Sequence, residues 1–332
     1  MGKQWTADDL TELVRGFHPV CVIIAGAELD VFTKLHERPS DAARLAGRVK
    51  GDPRAMAILL DALTAMGLLL KQNGVYTVPV DVAEVLTETG RHCRLGMIRH
   101  QGNCLRRWGQ LAQVVLTGRP VEGEVSIRGA QEDGASFIRA MHEISDPVAA
   151  TLIASLGPLH FTHLLDLGGG SGTYTIPFLR QNPTASATIF DLAAVIPMTA
   201  QLLKTAGIAD RVRLAAGDFY TDELPVGADL VWVSAIVHQN SRQQNREMFR
   251  KIFAALVHGG RVLIRDIVMD ESRTDPPMGA FFAVNMLVAT PGGGTFTFTE
   301  LRDDLAAAGL VEAQLLRRGE GMDSVVGATK PK

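Results

Sequence analysis

An apolar strand that runs into four clustered glycines and then into a helix, LLDLGGGSGTYT over residues 164–175, constrains this chain more than any other feature. Glycine lets the backbone adopt positive φ and approach a ligand closely, and the helix that follows offers free N–H groups at its start. Strand, glycine turn and helix together belong to parallel α/β sheets that hold nucleotide-like ligands at the carboxyl ends of their strands. The flanking sequence agrees, because short apolar runs alternate with helical periodicity. Strands are expected at 163–167, 187–190, 212–215, 229–234 and 262–267, with helices at 173–181, 194–207 and 243–257 between them. Gly259-Gly260 is read as the stop of the last of these helices. Thr297 and Glu300 form a capping box that opens a helix ending at Gly309, and 311–318 with 324–328 read as a strand pair.

The glycine turn does not fit a dinucleotide. That fingerprint, G-x-G-x-x-G, would need a third glycine where this chain has Thr173 or, one register on, Thr175. What stands here is D-x-G-G-G-S-G, with Asp166 near the end of the strand. S-adenosylmethionine has no pyrophosphate to seat; it presents an amino-acid head, for which a pocket lined by Gly168, Gly170 and Gly172 and a nearby carboxylate are suitable. Asp191 ends the next strand, about 20 residues on, where an acid can accept both hydroxyls of a ribose; capping the following helix is a compatible alternative. Past the third strand, Asp218 and Phe219 of AAGDFY would border an adenine, one bonding its amino group and the other covering its face. Three consecutive strand ends thus outline one ligand with three parts.

The amino-terminal part reads differently. Apolar residues from Leu10 to Leu35 recur at helical spacing, and helices follow at 41–49 and 52–69, the second opened by Asp52-Pro53. Asn73-Gly74 then lies between two apolar runs, a strong hairpin signal. Helix, helix, hairpin is the order of a winged helix. Its second helix has almost no cations and is apolar around nearly its whole circumference (Met56, Ile58, Leu59, Leu60, Leu63, Met66), which suits burial against protein rather than DNA. The net charge of −3, with 46% hydrophobic and 21% charged residues, likewise gives no nucleic-acid signature. Cys21, Cys93 and Cys104 show no disulfide or metal spacing, so no metal is expected. No run of 18 apolar residues occurs, so neither a membrane nor a nucleic-acid partner is expected, and the location expected is cytoplasmic. Met1–Thr6 also matches the loose acylation pattern M-G-x-x-x-[ST], a short pattern that chance often produces.

In AGAELDVFTKL (25–35), RRWGQLAQVVLTGRP (106–120), FIRAM (137–141), DLGGGSG, FDL, GDFY and VHQNSRQQNREMFRKIFAALVHGGRVLIRD (237–266), the chain resembles the small-molecule O-methyltransferases, a family that includes plant caffeic-acid, animal hydroxyindole and bacterial natural-product enzymes. The likeness runs over essentially the whole length. It implies an α/β fold: a Rossmann-like methyltransferase sheet with an N-terminal, mainly helical winged-helix dimerisation domain. The divisions expected are 1–90 for dimerisation, 91–155 as a helical connector contributing to the substrate pocket, and 156–332 for S-adenosylmethionine binding. The resemblance also implies cofactor contacts from Gly168, Asp191, Asp218, Phe219 and Ser234, a homodimer, and acceptor contacts from Phe137 and Met141. Phe281, Phe282, Asn285 and Met286 are further candidates for the acceptor wall, although apolar residues at helical spacing are more often core.

A phenol must lose its proton to accept a methyl group, and histidine is a suitable base near neutral pH. His238, just past the fourth strand, matches the family's catalytic histidine, and Asp266, ending the fifth, matches an acid that orients it. Two departures stand out. The family writes His-Asp-Trp where this chain has His238-Gln239-Asn240, and Thr295 stands where a second acid is expected. The function expected is therefore S-adenosylmethionine-dependent methylation of a small molecule, on a phenolic or other hydroxyl with His238 as base. The alternatives are a protein of this fold that methylates nitrogen or carbon or does other chemistry, and a winged-helix regulator.

Overall fold

The computed structural model describes residues 4–332. Met1 and Gly2, on which the acylation pattern depends, lie outside the described residues. Two compact units are formed: one by the chain up to Arg106 together with Glu124–Glu143, the other by Arg107–Gly123 and Ile144–Lys332.

The first unit opens with helices α1 (Ala7–Arg15) and α2 (Phe17–Glu28), followed by α3 (Val31–Glu37), α4 (Ala42–Val49) and α5 (Pro53–Ala65). Thr6 and Asp9 form a capping box at the start of α1, and Asp52 caps α5 from its side chain with Pro53 in the first turn. Strands β1 (Leu70–Gln72) and β2 (Val75–Thr77) form the expected hairpin, with Asn73 and Gly74 at φ 51° and 78°, the left-handed pair that a two-residue turn requires. Val31, Phe32, Leu35, Leu45, Leu60, Leu63 and Tyr76 make the core of this unit. Helix α6 (Val80–Leu86) closes it, and α7 (Leu95–Trp108) carries the buried Arg99, whose guanidinium holds Glu88 at 2.6 Å and the Ala27 carbonyl at 3.0 Å. Helix α1 contributes nothing to this core: Leu13 and Val14 are 63% and 71% exposed. The stretch Ala7–Glu28 is also long and apolar enough, by length and composition, to cross a membrane.

The second unit begins with α8 (Leu111–Thr117) and takes in the latter part of α9 (Ala130–Ser155). It is built on a sheet of β3 (His163–Leu167), β4 (Ser186–Asp191), β5 (Val212–Ala216), β6 (Ala228–Ser234), β7 (Leu256–Asp266), and, after two short strands β8 (Val268–Met269) and β9 (Phe296–Thr297), of β10 (Val311–Arg317) and β11 (Ser324–Thr329). The spatial order is β10-β11-β7-β6-β3-β4-β5, with β3 to β7 mutually parallel and β11 antiparallel to both β7 and β10. Strand order reverses between β3 and β6, the switch point where an open α/β sheet offers a crevice. Helices α10 (Thr175–Gln181), α11 (Ile196–Thr205), α12 (Arg242–Ala255), α13 (Pro277–Ala289) and α14 (Phe298–Ala307) complete the unit. One core cluster gathers Val231, Val233, Phe249, Ile252 and Ile264, the other Leu164, Phe178, Trp232 and Leu263, as strand alternation demands.

The glycine pair 259–260 departs from expectation. Helix α12 ends at Ala255, and β7 starts at Leu256, so both glycines lie inside the strand. The β6–β7 register slips between Ala228 and Leu230, and Gly259 takes φ 75°. A bulge and a helix stop ask for the same left-handed glycine, and the sequence alone does not distinguish them.

Candidate active site

The glycine turn leaves β3 at the switch point. Gly168, Gly170 and Gly172 take φ 62°, 54° and 73°, a conformation L side chains rarely adopt. A Cβ on Gly168 would lie 2.5 Å from Ile236 Cδ1, and the Phe219 ring edge is 3.9 Å from the same point, so the turn is packed on the loops after β5 and β6. Gly170 faces open space instead, and its amide donates to Asp191 Oδ2 at 2.7 Å. An open backbone surface with a carboxylate beside it suits the ribose and amino-acid parts of S-adenosylmethionine. Asp191 also accepts from the Leu192 amide, and burial pushes its pKa up.

Asp166 does not present its carboxylate to this crevice. It is buried, takes a hydrogen bond of 2.6 Å from the Thr175 hydroxyl, and burial pushes its pKa to about 7. Thr175, one of the residues that break the dinucleotide fingerprint, thus seals the base of the turn. Thr173, the other, shares a hydrogen bond of 2.6 Å with Ser171. A Cβ on Gly169 would fall 2.7 Å from Asp166 Cγ, so the buried acid also explains the middle glycine.

Asp218 and Phe219 follow β5 as expected. Asp218 accepts from the Tyr220 amide at 2.9 Å, and Phe219 packs on the core. The loop is held by Lys251 of α12, whose ammonium donates to the carbonyls of Phe219, Tyr220 and Asp222 at 2.9–3.0 Å. Sequence reasoning missed that clamp, and it missed Asn240 as well. The Asn240 side chain is fully buried, accepts from the Tyr220 hydroxyl at 2.5 Å and donates to Asn245 at 3.0 Å. Where the family has Asp-Trp after its histidine, this chain ties the histidine turn to the GDFY loop by hydrogen bonds.

His238 lies in a short 3-10 turn, Val237–Gln239, directly beyond β6. Its Nδ1 is 2.9 and 3.0 Å from the two carboxylate oxygens of Asp266, which ends the neighbouring β7. A carboxylate on Nδ1 fixes the proton there and leaves Nε2 with its lone pair. Phe282 of α13 meets the imidazole edge-on, ring centres 4.8 Å apart, whereas Phe281 points away and is 67% exposed. Asn285, on the same helix, accepts from Trp108 Nε1 at 2.9 Å, which leaves its amide N–H groups to donate elsewhere; Met286 is buried. Thr295 turns its hydroxyl to the Gly279 carbonyl at 3.3 Å, and Glu300 is engaged with Arg273 and Arg242, so no second acid from this segment is bonded to His238 among the described residues. Gly293 packs on the His238 carbonyl, where a Cβ would come within 2.5 Å, and Gly294 donates to that carbonyl at 2.8 Å.

Ser234, at the end of β6, accepts from Arg265 at 3.0 Å. Phe137 and Met141 lie on α9 within the first unit, where Phe137 meets His100 edge-on at 5.1 Å. Within the second unit the structure therefore brings Gly168, Phe219 and Ile236 together, Gly170 with Asp191, and His238 with Asp266, all at the carboxyl edge of one sheet.

Comparison with known proteins identifies one family for both parts of the chain. Residues 115–310 match the O-methyltransferase domain, and residues 11–89 match the O-methyltransferase dimerisation domain. A 3-hydroxy-5-methyl-1-naphthoate 3-O-methyltransferase from Streptomyces sahachiroi is 31% identical over 334 residues, covering 97% of this chain and 94% of its own. Human acetylserotonin O-methyltransferase is 26% identical, covering 96% of both chains. Among solved structures, human N-acetylserotonin methyltransferase in complex with S-adenosylmethionine superposes with a TM-score of 0.78 at 24% identity over 100% of both chains, a likeness of fold.

Proposed function

The chain belongs to the O-methyltransferase family, an S-adenosylmethionine-dependent methyltransferase acting on small molecules, and from that premise we propose that it methylates a hydroxyl on a fused aromatic ring with His238 as general base. The observation that carries this reading is the His238–Asp266 pair on the same sheet edge as the glycine turn. The naphthoate enzyme and a tetracenomycin 8-O-methyl transferase from Streptomyces glaucescens, 28% identical, support a polycyclic phenol as acceptor.

The bound cofactor supplies an activated methyl group, so the chain has to position the acceptor, exclude water and remove one proton. Asp266 holds the imidazole in the tautomer whose Nε2 takes the phenolic proton, and stabilises the cation that results. In this reading Asn285, whose side-chain oxygen accepts from Trp108, donates its amide N–H to an acceptor oxygen, and Met286 and Phe282 supply apolar wall. Gly168, Gly170, Gly172, Asp191, Asp218, Phe219 and Ser234 are assigned to the cofactor, and Phe137 and Met141 to acceptor contact on the strength of the resemblance. The functional division into 1–90, 91–155 and 156–332 belongs to the same proposal.

The exposed ridge of Leu10, Leu13, Val14 and Phe17 on α1 and α2 falls largely within the matched dimerisation domain and supports a homodimer. Three free cysteines fit a reducing, cytoplasmic location. His238→Ala tests the chemistry: kcat falls at least about tenfold while cofactor affinity holds. An unchanged kcat removes His238 as base. Thr295 in place of an acid favours one other reading, a cofactor-binding protein that does not methylate oxygen, and tight cofactor binding with no transfer to any phenol would select it.

A further inference from the structure

Successive residues of a strand face opposite sides, so Arg265 lies across β7 from Asp266 and cannot serve His238. It is 6% exposed and directly follows the buried apolar run Val262, Leu263 and Ile264. Its Nη1 donates to Ser234, its register partner on β6, at 3.0 Å, and its guanidinium stands 4.9 Å from the centre of the Tyr174 ring. Tyr174 in turn packs on Trp232 with ring centres 5.3 Å apart. Arg265 Nε, Trp232 Nε1 and the Tyr174 hydroxyl are all buried without a hydrogen-bond partner, although Ser145 lies beside the hydroxyl.

Arg265 has no carboxylate to itself. Asp266 is bonded to His238, and Asp323, whose charge also reaches Arg265, is paired with Arg317 at 3.0 Å. Burial pulls the Arg265 pKa down, yet a guanidinium keeps its proton in proteins. A buried cation with an unused N–H beside two further orphaned polar groups is costly unless an anion completes it.

The position of the cluster selects that anion. Leu167 pairs with Val233, which places Ser234 level with Gly168, and Tyr174 caps α10 directly beyond the glycine turn. The cofactor's amino-acid head carries a carboxylate, and a guanidinium fork matches a carboxylate in shape and charge. The geometry points to Arg265, assisted by Ser234 and Tyr174, as the residue that binds the carboxylate of S-adenosylmethionine. This assignment rests on the cofactor reading above. An acceptor such as a hydroxynaphthoate offers the same chemistry, so the test is made without acceptor.

Calorimetric titration of the full chain compares S-adenosylhomocysteine with its analogue lacking the α-carboxylate. The wild type binds S-adenosylhomocysteine about 10- to 100-fold more tightly, the usual range for a charge-assisted bond. Arg265→Gln abolishes this discrimination and leaves the analogue's affinity as it was. Arg265→Lys, which keeps the charge and loses the fork, narrows it several-fold and carries the test if the Gln variant fails to fold. Unchanged discrimination in the variants overturns the assignment, as does an equal loss for both ligands or a loss confined to acceptor KM. A wild type that binds neither ligand refutes the cofactor reading itself.

Discussion

Replacing Asp166 by Asn changes how stability depends on pH, in a direction and size that follow from one buried carboxyl. Burial raises the Asp166 pKa from its ordinary 3.8 to about 7. Above pH 3.8 the unfolded chain releases this proton while the folded chain keeps it, so the folded state binds more protons and loses stability as pH rises. The loss is complete above pH 7 and amounts to about 4 kcal/mol at roughly 1.4 kcal/mol per pKa unit. Most of it, about 3 kcal/mol, falls between pH 5 and pH 8. Asn keeps an oxygen for the Thr175 hydroxyl and has no charge to bury. Urea unfolding at pH 5 and pH 8, followed by tryptophan fluorescence, therefore finds the variant gaining on the wild type as pH rises, while titrating groups that do not interact with Asp166 cancel in the difference. A wild-type-minus-variant difference that stays constant from pH 5 to pH 8 would refute the argument, and so would one that moves the other way.

Asp266→Asn leaves His238 without the carboxylate that fixes its tautomer, and kcat falls about tenfold or more in steady-state assays while S-adenosylhomocysteine affinity is kept. Gly168→Ala sets a Cβ 2.5 Å from Ile236 Cδ1 at φ 62°, and titration finds cofactor affinity lowered by about tenfold, from roughly 1–2 kcal/mol of left-handed strain. Trp108→Phe releases Asn285, and acceptor KM rises with cofactor Kd unchanged. Leu13→Asp places a charge on the exposed α1 ridge, and light scattering finds monomer where the wild type is a dimer.

The α/β half of the fold was legible because its strands are apolar runs bounded by glycine or acid, and β3 and the Thr297 capping box fall where the sequence puts them. Gly259-Gly260 misled because a strand bulge and a helix stop need the same backbone. The parts of the site that came from local pattern, the glycine turn with Asp191 and GDFY, were readable for the same reason. Partnerships across the sheet were not: periodicity carries no distance between Tyr220 and Asn240, or between Lys251 and the carbonyls it gathers. His238 with Asp266, 28 residues apart, came only from the resemblance. Arg265 did leave a sign, a cation inside VLIRD, but what it faces depends on the register of β6 against β7.

Transfer of a 13C-labelled methyl group to hydroxynaphthoates and related polycyclic phenols, read by NMR, tests the central claim most directly. The account predicts a methoxyl carbon on the acceptor, formed by the wild type and at least about tenfold more slowly by His238→Ala. A methyl group on nitrogen or carbon, or no transfer by a protein that binds S-adenosylmethionine tightly, contradicts it.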